Sequence, residues 1–179
     1  MVDYRRMVSI SGVLDGIDYH QFYLLADDDD QVFPEFATDA EIAPHGLIAT
    51  TGHGVCVATG IAMGAVNLTI DLLAGEPAEI DQRQPWAAVS ETSFEATGAE
   101  AWIYVFLPPP AMPFDDLLVL PGGTGWYRVR AHALGRELDY DAVVIDQPRE
   151  HHLLQLWRTA GPEPVQHHRV DDQWSAQGS

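Results

Sequence analysis

The residues whose type and spacing most directly suggest chemistry are four consecutive aspartates: Asp27, Asp28, Asp29 and Asp30. Four carboxylates in one loop repel one another unless water, a metal ion or a cationic protein screens them. Carboxylate oxygens suit calcium, with Asp115 and Asp116 as further donors, but the loop lacks the glycine and the closing glutamate of an EF-hand. We expect no metal site, so the run predicts either a solvated loop or an anionic surface for a cationic partner.

The histidines are the next candidates, for metal binding or for acid-base catalysis. Neighbouring residues on a strand point to opposite faces, so the doublet His151-His152 cannot hold one ion. His20 shares a predicted strand face with Phe22 and Leu24, which favours a core-edge imidazole bonded to a backbone group or a carboxylate. A hydrolase would need His20, His132 and an acidic residue to meet in one pocket, and only the fold can bring them together.

The residue types that the chain lacks exclude several classes of enzyme. All nine basic residues are arginine, so there is no lysine for a phosphate-binding loop, a kinase strand or a Schiff base. There is no Gly-x-Ser-x-Gly nucleophile motif, and Cys56 lies in an apolar predicted strand. A single cysteine forbids an internal disulfide and a multi-thiolate metal site, which favours a cytoplasmic location. We predict a protein without catalytic activity and without a cofactor.

The charge balance narrows the choice of partner. With 9 basic and 27 acidic side chains among 179 residues, the formal net charge is −18. Such a chain repels phosphate backbones and anionic lipid surfaces, so we expect no direct nucleic-acid binding and no membrane binding. Because 46% of the residues are apolar, it can still bury a core. The charge fits a basic protein partner, or it serves solubility alone. The sequence makes no prediction of the oligomeric state.

Strands are the elements that must position these side chains. Apolar residues alternate with polar ones at 66–72, which places one face in a core and the other in water. The stretch 125–135 alternates too, with its arginines and His132 on the face opposite Tyr127. Both faces are apolar at 101–107, as in a central strand that is covered on both sides.

Further strands are predicted at 7–14, 19–26, 46–51, 55–59, 86–95, 117–120 and 151–158. About ten short strands with turns between them favour an all-β fold, an antiparallel β-sandwich, over an α/β fold. One or two short helical turns are expected, at 38–43 and at 79–82. We predict one sandwich domain over 1–160 and a loosely held polar C-terminal tail over 161–179.

The run Ile17-Asp18-Tyr19-His20-Gln21-Phe22 resembles the early strand motif of the ComJ-like family. Members of that family are competence-associated inhibitors of a DNA-entry nuclease. The order along the chain supports the resemblance, with the sequence Gly-Trp-Tyr-Arg-Val-Arg at 125–130 and a final apolar strand at 153–157. It covers most of the chain in strand order and about a dozen positions in identity. The resemblance implies a β-rich protein that binds and inhibits a nuclease.

The residues and the resemblance agree on one physical point. Nucleases present cationic clefts, and a rigid domain with surplus carboxylates can occupy such a cleft. The predicted partner-binding residues are the four aspartates and four ring-bearing anchors: Asp27, Asp28, Asp29, Asp30, Tyr19, His20, Tyr23 and Trp126. An immunity protein or a stress-related binder is an alternative interpretation that the sequence leaves open. The alternative from the residues is a carbohydrate- or small-molecule-binding sandwich with exposed tryptophans on a concave face.

Overall fold

The computed structural model describes residues 6–28, 46–106 and 110–170 of the chain. Twelve strands lie in these ranges: β1 (Arg6–Ile17), β2 (Gln21–Leu25), β3 (Ile48–Thr51), β4 (Gly54–Ala58), β5 (Met63–Leu73), β6 (Ala88–Ala96), β7 (Glu100–Tyr104), β8 (Leu118–Val119), β9 (Gly125–Leu134), β10 (Val143–Val144), β11 (His151–Arg158) and β12 (Gln166–Arg169). The described part of the chain contains no helix, and therefore none long and apolar enough to cross a membrane. The prediction of an all-β fold is confirmed.

The strands form two sheets that pack face to face. Sheet A has seven strands in the order β1-β5-β11-β9-β6-β12, with β10 beside β5, and sheet B has five in the order β3-β4-β2-β7-β8. One hydrophobic core contains inward side chains of both sheets, among them Leu68 and Val129 of sheet A and Phe22 and Ile103 of sheet B. Two sheets that bury their facing sides in a shared core form a β-sandwich, as predicted.

The hydrophobic patterns place the strands correctly. In β5 the residues Val66, Leu68, Ile70 and Leu72 are buried in the core, as the alternation predicts. Gly52 has a φ of +48°, which allows the tight link between β3 and β4. Each predicted strand overlaps a strand of the structure, and β10 and β12 are additional.

The prediction of a purely antiparallel sandwich is wrong in sheet A. Strand β11 runs parallel to β5, with His151 opposite Asn67, and is antiparallel to β9 on its other side. Strand β10 is also parallel to β5. Side chains alternate with the same period in parallel and antiparallel pairs, so the hydrophobic pattern carries no information about strand direction. Strands β1 and β5, with 12 and 11 residues, are longer than the short strands expected.

The predicted strand 19–26 begins two residues later than expected. Tyr19 and His20 have φ angles of +52° and +60°, in the left-handed region that a strand cannot continue through. They form a turn in which the carboxylate of Asp18 accepts the Tyr19 N–H at 2.9 Å and its carbonyl accepts the Gln21 N–H at 3.3 Å. His20 therefore does not share a strand face with Phe22, and its side chain is placed by the turn instead.

The segment 79–82 forms no helical turn, which corrects that prediction. Local side-chain bonds organise it instead. The carboxylate of Asp81 accepts the backbone N–H of Arg83 at 2.9 Å, and the amide of Gln82 donates to the carbonyl of Ile80 at 2.8 Å. Such bonds compete with helical hydrogen bonding. The other expected turn, at 38–43, lies outside the described residues.

Part of the predicted polar tail belongs to sheet A. Strand β12 pairs with β6, with Gln166 opposite Glu91 and His167 opposite Ser90. Just before it, the carbonyls of Glu163 and Pro164 accept hydrogen bonds from Arg128 at 2.9 and 2.7 Å. The four residues of β12 are exposed and polar, so no hydrophobic alternation revealed this edge strand. Residues 171–179 lie outside the described ranges.

Candidate partner-binding surface

A groove of about 670 Å³ lies at the end of the sandwich where β2 ends and β7 begins. Four carboxylates and one indole are among the residues that line it: Asp27, Asp28, Glu100, Asp115 and Trp102. The described residues that line the groove include no arginine and no histidine. The groove is therefore anionic and partly aromatic, a combination that suits a cationic side chain.

Backbone hydrogen bonds fix the position of the groove's acidic wall. The N–H groups of Thr97 and Gly98 both donate to the carbonyl of Ala26 at 3.0 Å. The Thr97 hydroxyl donates to the carboxylate of Asp27 at 3.3 Å and accepts the Asp28 N–H at 3.2 Å. Gly98 lies so close that an added Cβ would be 2.5 Å from the carbonyl oxygen of Asp27. The wall is thus pre-formed rather than assembled on binding.

The outward face of sheet B carries an aromatic strip that leads away from this groove. It consists of Trp102, Tyr104 and Phe106 on and just after β7, with Tyr23 of β2 and Tyr19 of the preceding turn. Ring centroids are 5.7 Å apart for Tyr104 and Phe106 and 5.7 Å for Tyr19 and Phe106, both edge to face. Edge-to-face packing holds the rings in fixed orientations. The strip joins the turn before β2 to the groove after it.

The predicted partner-binding residues separate into two groups along β2. Asp27 and Asp28 line the groove, whereas Tyr19, 72% exposed, and His20 lie at the other end of the strand. At about 3.3 Å per residue, β2 and its flanking residues separate His20 from Asp27 by roughly 20 Å. Asp29 and Asp30 lie outside the described residues.

The remaining predicted anchors have different surroundings. The side chain of Tyr23 is completely buried within the aromatic strip, so it supports neighbouring rings and offers no surface to a partner. Trp126 is half-buried on sheet A, opposite Glu95, and does not line the groove. His20 places Nε2 3.2 Å from the Asp141 carboxylate and Nδ1 3.3 Å from the Gly60 carbonyl. Its partners are thus the carboxylate and backbone group expected of a core-edge imidazole.

The structure does not bring His20 and His132 into one pocket. His132 is fully buried on the outward face of sheet A, with its ring centroid 5.3 Å from that of Trp86. Its Nδ1 lies 3.3 Å from the carbonyl of Leu153. Burial lowers the pKa of His132 to about 4, so this imidazole is neutral at neutral pH. His132 therefore packs against Trp86 and does not share a pocket with His20, as a hydrolase would need.

One carboxylate and one imidazole do meet inside the sandwich, as Glu150 and His152. His152 Nε2 lies 2.7 Å from Glu150 Oε1, and the same carboxylate accepts the N–H groups of Gly60 and Ile61 at 2.9 and 3.2 Å. Both side chains are almost completely buried. A small pocket of about 100 Å³ beside His152 has no carboxylate among the described residues that line it. The pair ties the loop after β4 to β11 and presents no open catalytic geometry.

The outward face of sheet A contains a buried ionic network. Glu91 of β6 is bound by Arg128 at 3.1 Å, by Arg130, and by His168 of β12 at 2.7 Å. Burial alone would raise the pKa of Glu91, but the hydrogen bonds from Arg130, His168 and Arg128 and the charge of Arg130 outweigh burial, so the pKa is lowered. Arg130 also lies 5.5 Å from the Trp157 ring centroid. Segments 74–87 and 163–169 contribute the carbonyls and charged groups that cover this face.

The same face holds a second carboxylate that sequence alternation predicted to be in water. Asp71 is completely buried and is bound by Arg6 at 3.3 Å and by Arg83, which also binds Asp81 at 2.9 Å. Every arginine in the described ranges has a partner within the fold: Arg6, Arg83, Arg128, Arg130, Arg136, Arg149, Arg158 and Arg169. The arginines of the described ranges are thus bonded to groups of the same chain, whereas carboxylates such as Asp28, Glu100 and Asp115 are exposed.

Two residues that line the groove were missed by the sequence interpretation. Trp102 and Glu100 line the groove, yet the segment 101–107 was assigned as a strand covered on both sides. The signal was present in the alternation of Trp102, Tyr104 and Phe106, which predicts three rings on one face of the segment 101–107. The described residues contain no group of three or more histidine, cysteine or carboxylate side chains close enough to hold a metal ion.

Solved structures with a similar fold include ComJ of Bacillus subtilis, an inhibitor of the DNA-degrading activity of NucA. The TM-score is 0.54 at 15% sequence identity, over 82% of this chain and 92% of ComJ. A second structure, described as Crocagin biosynthetic gene J, has a TM-score of 0.49 at 13% identity, over 84% of this chain and 96% of that one. No protein-family model matches the chain, and no characterised protein matches it in sequence. The resemblance to the ComJ-like family is confirmed at the level of the fold.

Proposed function

We propose that this protein binds a basic nuclease and blocks its action on DNA, with no bond-making chemistry of its own. The observation that carries the proposal is the distribution of charge. The formal net charge is −18, and each arginine of the described ranges is bonded to a group of the same chain. A partner therefore meets carboxylates, among them Asp28, Glu100 and Asp115 at one groove.

Electrostatics explains why a nuclease is the partner of choice. An enzyme that acts on DNA carries a cationic cleft, because it must neutralise phosphates. A rigid anionic domain is attracted to that cleft at long range and competes with the DNA backbone for it. The similar fold of ComJ, which inhibits the DNA-degrading activity of NucA, supports the same function here. We include a cytoplasmic location in the proposal, since the single Cys56 needs no oxidising compartment.

Affinity capture from a native lysate tests this function. The immobilised chain should retain a protein of positive net charge that degrades DNA, and high salt should release it because screening weakens the attraction. Adding the free chain to the recovered nuclease should abolish DNA degradation at stoichiometric amounts. Recovery of only acidic or neutral proteins, or of nucleases that remain fully active at saturating amounts of the chain, would exclude inhibition.

A further inference from the structure

We infer that the groove beside Trp102 binds an arginine side chain of the partner. This inference rests on the proposed function and adds the chemistry of the contact. The groove combines the exposed carboxylates of Asp28, Glu100 and Asp115 with the half-buried indole of Trp102. A guanidinium group can stack on the indole and donate to carboxylates at the same time.

The shape of the site favours arginine over lysine. A guanidinium is planar and presents its donors in a fixed fork, whereas an ammonium is a compact charge that gains little from stacking on an indole. The groove's volume of about 670 Å³ accommodates a long side chain with part of its backbone. Asp28 follows β2 and Glu100 begins the neighbouring antiparallel strand β7, so both carboxylates lie at the groove end of this strand pair.

Peptide discrimination tests the inference on the full chain. Isothermal titration with a nona-arginine and a nona-lysine peptide of equal charge should show several-fold tighter binding of the arginine peptide. Trp102→Leu should reduce the arginine affinity to the lysine level, and Trp102→Phe should restore part of it because it restores a ring face. Trp126→Leu removes an indole from sheet A and should change neither affinity. Thermal unfolding of each variant establishes that it is folded.

Two outcomes would overturn the inference: equal affinity for both peptides, or an equal loss with Trp126→Leu and Trp102→Leu. The proposed function fails separately. If the wild-type chain inhibits a captured nuclease and Trp102→Leu inhibits it equally well, the groove is not the contact but the function stands. If the arginine preference depends on Trp102 and no nuclease is inhibited, the groove is a cation-binding site and the nuclease is excluded.

Discussion

The outward faces of the two sheets use charge in opposite ways. On sheet A, Glu91 and Asp71 are buried and bound by arginines, beneath segments that cover the sheet. On sheet B, the groove's carboxylates Asp28 and Glu100 are exposed beside the aromatic strip. Removal of one partner of a buried ion pair strongly destabilises a protein, whereas exposed charges contribute little to stability. The buried charges of sheet A are therefore part of its packing, whereas the groove's carboxylates on sheet B contribute little to stability and are exposed.

The sharpest test of this contrast is Glu91→Ala. The substitution leaves the guanidinium groups of Arg128 and Arg130 buried without their carboxylate. We expect the free energy of unfolding to fall by about 3–5 kcal/mol in urea denaturation. The matched control is Glu95→Ala, an exposed glutamate on the same strand, which should change stability by less than about 0.5 kcal/mol. Equal effects of the two substitutions would show that the network is not structural.

The pH dependence of the free energy of unfolding should reveal the proton that His132, on the outward face of sheet A, takes up when the chain unfolds. Its pKa is lowered by burial from 6.5 to about 4, so the unfolded chain takes up a proton in a pH range where the folded chain does not. Stability should thus fall as pH decreases through that window, by up to about 3 kcal/mol. His132→Asn keeps a donor for the Leu153 carbonyl and should remove this loss, measured by urea denaturation at several pH values.

The control for this pH series is His53→Gln, at the link between β3 and β4. His53 Nδ1 lies 3.0 Å from the carbonyl of Glu95 in an exposed setting, and the glutamine amide can replace this contact. The pH dependence should stay as in the wild type. A pH profile that His132→Asn leaves unchanged would contradict the assignment of a neutral buried imidazole.

On the sheet B side, Gly98→Ala should disturb the groove. The new Cβ would meet the carbonyl oxygen of Asp27 at 2.5 Å, so the acidic wall must shift at a cost of about 1–3 kcal/mol in the free energy of unfolding. The association rate with a basic partner should fall as well. Gly75→Ala, where the added Cβ meets nothing within 4 Å, is the matched control. Unchanged stability and binding in Gly98→Ala would show that the wall is adaptable.

The smallest effect on stability is expected from Asp28→Asn combined with Glu100→Gln. Both residues are exposed, so the free energy of unfolding should change by less than about 0.5 kcal/mol. The association rate with the captured nuclease should fall several-fold at low salt, and the difference should shrink at high salt. Asp146→Asn combined with Glu137→Gln alters exposed charges away from the groove and should have a smaller effect on the rate. If the two double substitutions slow association equally, the partner responds to the net charge of the chain rather than to the carboxylates of the groove.

Local patterns predicted more of the fold than of the site. The alternation of β5 and the glycine link before β4 follow from side-chain period and backbone freedom, which act within a few residues. The aspartate run at Asp27 and Asp28 indicated the acidic wall of the groove for the same reason. The parallel neighbour of β11 and the edge strand β12 were not predicted, because strand direction and edge pairing depend on residues far apart in sequence.

By itself, the sequence determined the all-β class, the inward faces of the strands and the excess of negative charge, since each depends on residue type and local period. The tertiary structure alone decided which charges are buried and which are exposed. Asp71 and Asp28 are the same residue type, yet one is enclosed by arginines and the other lines a groove. Burial and pairing are properties of contacts between distant segments, and those contacts exist only once the sheets are packed.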